Sequence, residues 1–109
     1  MNMQEEALLC FEEALRIDPN DLGALSLKGY CLDSLGRHRD AIMCFDKILE
    51  EKPDDLNVAV NKGLALSHIG KYDEAIAYFD KVLEDEPDNI FALAWKKETI
   101  RRANKDLVY

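Results

Sequence analysis

The chain is short of the residues that interrupt or cross-link a backbone, with three prolines, five glycines and an odd three cysteines in 109 positions. So few breakers leave long stretches free to be helical, and Ala, Leu, Glu and Lys fill them. Strand-like runs of Val, Ile and Thr are nearly absent. Cys10, Cys31 and Cys44 stand at no metal-like spacing, which fits reduced thiols in the cytosol better than a disulfide frame. Positive charge is also scarce. Lys and Arg number 14 against 22 Asp and Glu, a net charge of −8, so phosphate backbones and anionic lipid are repelled at long range. Neither nucleic acid nor a membrane is expected as a partner. The local exception, Lys96, Lys97, Arg101, Arg102 and Lys105, reads as a cation-rich helix C-terminus favourable to the macrodipole. No apolar run approaches the ~20 residues that span a bilayer. The acidic start, "MNMQEEALLCFEEAL", lacks the basic segment of a secretory signal, and a cytoplasmic location is the expectation. With 48% hydrophobic residues, the chain is too apolar to remain disordered.

What is present is repetition. "QEEALLCFEEALRIDPND" begins at Gln4, "HRDAIMCFDKILEEKPDD" at His38 and "YDEAIAYFDKVLEDEPDN" at Tyr72, each 34 residues after the last. Residues 22–55 and 56–89 match at 14 of 34 positions without a gap, so a repeat architecture is the frame for any function. Ala59, Gly63 and Leu66 recur at helical spacing, and the pattern restarts at Ala75, Phe79 and Val82 after Gly70. Each unit is therefore two helices. Gly36 and Gly70 stand where the first helix of a pair must end in a left-handed residue. Pro19, Pro53 and Pro87 end the second helix, because the residue before proline is pushed out of helical geometry. Asp54, Asp55, Asp88 and Asn89 offer caps for the next helix. Gly29 and Gly63 let helices approach closely, while Phe45 and Phe79 fill the space between them. No pair buries its aromatic alone, so units stack, share a core and leave a concave inner face.

The 34-residue period with Gly29, Gly36, Ala41, Phe45 and Pro53, and again Gly63, Gly70, Tyr72, Ala75, Phe79 and Pro87, resembles the tetratricopeptide repeat. The resemblance implies an all-α fold, a right-handed superhelical stack of antiparallel helix pairs. It divides the chain into a second helix of a truncated repeat (1–21), two complete repeats (22–55 and 56–89), and a further first helix or capping helix to about Asn104 with the tail "KDLVY" (90–109). Leu25 and Ala59 stand where the family often has a bulky aromatic, and Lys28, Lys62 and Lys96 where it often has leucine. A lysine stem there can lie along apolar surface with its ammonium in water.

In the family the first helices line the groove, which implies a set of groove residues here. The second repeat offers Asn57, Val60, Asn61, Leu64 and His68. The first offers Leu27 and Tyr30, with Asp33 and Ser34 on the same face, and the last helix offers Phe91, Trp95, Arg101 and Arg102. Large amphipathic anchors with a few polar groups are the usual make-up of binding hot spots. Asn61 matches, by its spacing from Gly63, the asparagine with which related repeats hold a peptide backbone, a task suited to an amide that donates and accepts. The clamp that grips a peptide carboxylate in one branch of the family would fall on Ser26, Tyr30, Asn61, Phe91 and Trp95, and only the asparagine survives.

Catalysis needs a nucleophile or base held against an orienting group in a water-excluding cleft. No His-x-x-x-His, Cys-x-x-Cys or Gly-rich phosphate loop is present, so no enzyme, metal or cofactor is expected. His38 and His68 read as surface or packing residues, and the cysteines as modest apolar fillers. The expected function is a protein-interaction module binding a peptide or helix of a partner protein. The alternative is a structural array that packs with flanking repeats or with its own copies. In that reading the opening helix, with Ala7, Leu8, Phe11, Ala14 and Leu15, lacks a partner and is the expected homodimer face.

Overall fold

The structure, a computed structural model, describes residues 1–107. Six helices follow one another: α1 (Met3–Ile17), α2 (Leu22–Ser34), α3 (His38–Glu51), α4 (Leu56–His68), α5 (Tyr72–Asp85) and α6 (Ile90–Asp106), with no strand among the described residues. The boundaries follow from local chemistry. Asn2, Asp21, Asp55 and Asn89 each accept a hydrogen bond from the backbone N–H three residues on, at 2.8 to 3.1 Å, satisfying a donor that the helix leaves orphaned. Asp54 and Asp88 do not serve as caps. Gly36 and Gly70 adopt φ of 85° and 83°. Around each, two hydrogen bonds close the preceding helix: Arg37 N–H to Leu32 and Gly36 N–H to Asp33, then Lys71 to Leu66 and Gly70 to Ser67. Asp18, Lys52 and Glu86, each just before a proline, leave helical geometry with ψ of 93°, 75° and 79°.

Each helix packs on the next, and α2, α4 and α6 also touch in sequence along one side. The close approach inside a pair depends on glycine. A methyl group at Gly29 would stand 2.6 Å from Phe45 Cε1, and one at Gly63 2.7 Å from Phe79 Cε1. Both rings are completely buried. Val58 and Ala65 of α4 join a core with Leu25, Phe45 and Ile48, whereas Ala59, Val60 and Leu66 of the same helix join a second core with Phe79 and Val82. One helix thus belongs to two neighbouring cores, which is how the units share their burial.

Three local features depart from the sequence reading. The ammonium groups of Lys62 and Lys96 are paired: Lys62 meets Asp46 and donates to the Tyr78 hydroxyl at 2.8 Å, and Lys96 meets Asp80 at 2.6 Å. Burial pulls Lys62 down, but hydrogen bonds to Asp46 and Tyr78 outweigh it and hold the amine above its ordinary pKa. Secondly, the face expected to be free on α1 is partly covered. Leu8 is buried, and Ala7, Phe11 and Leu15 pack against the first core. Phe11, at the position of Phe45 and Phe79, is only half-buried, since no first helix lies across it. Thirdly, α6 runs on through Lys105 to Asp106, beyond the expected end at about Asn104, and Asp106 accepts from the Tyr72 hydroxyl at 2.6 Å. Of the expected tail, residues 108 and 109 lie outside the described residues.

Candidate peptide-binding groove

Between α4 and α6, and reaching α2, runs a groove of about 450 Å³ lined by Tyr30, Asn57, Val60, Asn61, Leu64, Asn89, Phe91 and Trp95. Seven of these come from the predicted face; Asn89 does not. Its side-chain oxygen caps α6 through Ala92 N–H while its amide donates to Glu86 Oε1 at 2.9 Å. The sequence pointed only to the cap; the place of Asn89 in the lining depends on how α6 lies against α4. Tyr30 is 53% exposed and Phe91 69%, so two aromatic surfaces stand open to solvent on either side of the Asn57 and Asn61 amides. No lining side chain is charged.

The helical turn that carries Trp95 is anchored to α4. Thr99, completely buried, donates its hydroxyl to the Trp95 carbonyl at 2.7 Å and lies 3.0 Å from Ser67 Oγ on α4. This contact ties the groove's α6 wall to its α4 wall. No sequence motif marks Thr99, because the equivalent positions hold Cys31 and Ala65.

Four expected residues stand elsewhere. Leu27 is exposed on α2 but lies outside the lining; the groove sits between α4 and α6 and takes only Tyr30 from α2. Arg101 and Arg102 turn to Glu98 on their own helix, at 2.7 Å and 3.3 Å. The hydrogen bond from Arg101 holds the Glu98 carboxyl below its usual range. His68 lies at the end of α4, where its Nδ1 stands 3.1 Å from Asp33 Oδ1, and His38 Nδ1 lies 2.5 Å from the same oxygen. Asp33, expected on the groove face, is buried there.

The two buried thiols are not activated. Burial raises the pKa of both Cys31 and Cys44, which keeps them protonated. Cys10 is exposed rather than a filler, since the helix against which its equivalent Cys44 is buried has no counterpart here.

Residues 1–82 match the model of the family described as "Anaphase-promoting complex, cyclosome, subunit 3". No relative was found among curated proteins. Among solved structures, the first TPR of Spaghetti (RPAP3) bound to HSP90 peptide SRMEEVD superposes with a TM-score of 0.82 at 19% identity, over 91% of this chain and 79% of that one. YrrB, described as a TPR protein with an unusual peptide-binding site, gives 0.79 at 26% identity over 86% of this chain and 48% of its own. The MamA RS-1 ArsTM double mutant gives 0.81 at 28% identity, over 95% of this chain and 58% of its own. The chain thus spans about half the length of these last two. Its helix pairs, glycine turns and shared cores are those of a tetratricopeptide solenoid, and the chain belongs to the anaphase-promoting complex subunit 3 family.

Proposed function

We propose that the chain is a non-catalytic interaction module that holds a peptide or helix of a partner protein in the groove between α4 and α6. The observation that carries this is the convergence of Tyr30, Asn57, Asn61, Leu64, Phe91 and Trp95 on one open cleft with no charged wall. Aromatic faces supply apolar area at little conformational cost, and the asparagines can bond an extended backbone. The ligand that fits is a segment with apolar or aromatic side chains, gripped through its main chain. An acidic peptide end finds no cation in the wall, in contrast to a carboxylate clamp. Two structural neighbours support a peptide ligand: the RPAP3 repeat is described with an HSP90 peptide, and YrrB with a peptide-binding site. The family description, a subunit of a large complex, supports a place in a protein assembly. In this reading the setting is cytoplasmic; among the described residues no helix is long and apolar enough to cross a membrane. Residues 22–55 and 56–89 are the two complete repeats, 1–21 a truncated one and 90–109 the start of another.

The test is a pull-down from cell extract with the intact chain beside a Tyr30→Ala, Asn61→Ala, Trp95→Ala triple variant whose helicity is confirmed by circular dichroism. Proteins retained by the first and lost by the second identify the ligand. Equal retention by both removes the groove from the account.

A second reading, packing with flanking repeats or other copies, draws on the outer side of α6. There Ile90, Leu93, Ala94, Lys96, Lys97 and Ile100 line an apolar groove of about 560 Å³. Ile90, Leu93 and Ile100 occupy the positions of Leu22, Leu25 and Leu32, which in the first repeat belong to or pack against the first core. Sedimentation at several concentrations separates the readings: association that Leu93→Glu abolishes favours packing, and a monomer at all concentrations favours the groove alone.

A further inference from the structure

The chain contains only two histidines, 30 residues apart in sequence, and the fold brings both to one carboxylate oxygen. Asp33 comes from the last turn of α2, His38 from the first residue of α3 and His68 from the last residue of α4. The ligand atoms all lie within 4.8 Å of one another. We propose that Asp33, His38 and His68 form a binding site for one divalent transition-metal ion of the zinc type, which clamps α2, α3 and α4 together.

Charge and geometry carry the argument. The Asp33 side chain is only 10% exposed, and among the described residues the two imidazoles are its only side-chain hydrogen-bond partners. One imidazolium would balance its charge. A second imidazole converging on the same oxygen supplies what a small cation needs, two nitrogens and an oxygen around a common point. Tetrahedral coordination at about 2.0 to 2.2 Å sets ligand atoms about 3.3 Å apart. The His68 nitrogen already meets this at 3.1 Å, and the His38 nitrogen, at 2.5 Å, must retreat by less than about 1 Å. Both imidazoles are about one quarter exposed, with ring centroids 4.7 Å apart and planes tilted by 42°. That exposure leaves a fourth position open to water. Imidazole with carboxylate selects zinc, cobalt or nickel over magnesium or calcium. His38 also borders a shallow pocket with Arg37, Arg39 and Asp40, in which Arg37 pairs with Asp40 at 3.0 Å. The other junction holds Ser67, Tyr72 and Arg102 at the equivalent positions, so the site is unique to the boundary between residues 22–55 and 56–89.

The experiment titrates the full chain with Co²⁺ alone and Zn²⁺ alone at neutral pH. The expected results are one ion per chain, visible cobalt bands of nitrogen and oxygen ligation that zinc removes, and a Tm raised by roughly 10 °C at a hundredfold excess of zinc over its Kd. Substitutions copying the other junction, Asp33→Ser, His38→Tyr and His68→Arg, preserve the fold and each weaken binding at least tenfold. Cys10→Ser leaves it unchanged, excluding the exposed thiol. Absence of cobalt bands, or equal affinity in the chain and in His68→Arg, overturns the site.

Discussion

At Gly63 two effects of one methyl group oppose each other. Alanine in a helix interior is favoured over glycine by about 1 kcal/mol, but here the added carbon would meet the Phe79 ring at 2.7 Å, and that ring is completely buried. Overpacking a closed core costs about 1 to 3 kcal/mol, so the packing cost outweighs the propensity gain. Gly63→Ala is expected to destabilise the chain by about 1 kcal/mol net in denaturant unfolding. Combining it with Phe79→Leu should cost less than the sum of the two single changes, because the smaller side chain yields the space. Stability raised by Gly63→Ala would mean that the ring gives way freely. The partnership of Gly63 with Phe79 is legible in the repeat, where the same two types recur as Gly29 and Phe45. Asp33 with His38 and His68 is not, because the three occur once, on three helices, with no shared period to align them. Lys62 and Lys96 lie between these cases. Their partners Asp46 and Asp80 stand 16 residues earlier in both copies, a signal that is visible only when the two columns are read together.

Between elements, the turns decide where each helix begins, and neighbouring acidic residues contribute unequally. Asp54 and Asp55 look interchangeable as sequence, yet only Asp55 accepts from Val58 N–H, at 3.1 Å, at the start of α4. Its extended backbone, with ψ of 98°, aims the carboxylate at that donor. Loss of such a cap costs about 1 kcal/mol, whereas an exposed substitution away from any cap stays within about 0.5 kcal/mol. Asp55→Ala is therefore expected to lower the unfolding free energy by about 1 kcal/mol and Asp54→Ala to leave it nearly unchanged, as measured by urea midpoints at constant m-value. Equal losses would place the benefit in general charge near the helix dipole rather than in the hydrogen bond. Composition alone indicated a cap in this turn. Choosing between the two residues required the backbone, since the helix start depends on where the proline turn delivers the chain. Asn89 illustrates the same limit: its cap was legible, but its second position in the groove wall depends on how α6 lies against α4.

Over the whole molecule, burial is distributed unevenly along the stack. The radius of gyration, 14.5 Å, exceeds the roughly 13 Å of a compact chain of this length, as an array with cores in series requires. α4, in the middle, buries seven residues and contributes to both cores, whereas α1 buries Leu8 alone and α6 only Ala92 and Thr99. In such a linear array stability is a sum of unit and nearest-neighbour terms, so an end helix is lost when one interface opens and a central helix only when two do. Local opening free energies should therefore rise from the ends inward. Native-state hydrogen exchange is expected to show α4 amides exchanging at the global unfolding free energy, with α3 and α5 close behind. Those of α1 should exchange through a smaller opening, and α6 should lie between, because Thr99 anchors it to Ser67. Thr99→Val should then bring α6 down to the level of α1 while leaving α4 unchanged, since the substitution weakens one interface and neither core. Uniform protection across all six helices, or an effect of Thr99→Val that spreads equally to α3, would mean that the stack opens as one unit and that its two walls cannot separate independently around a ligand.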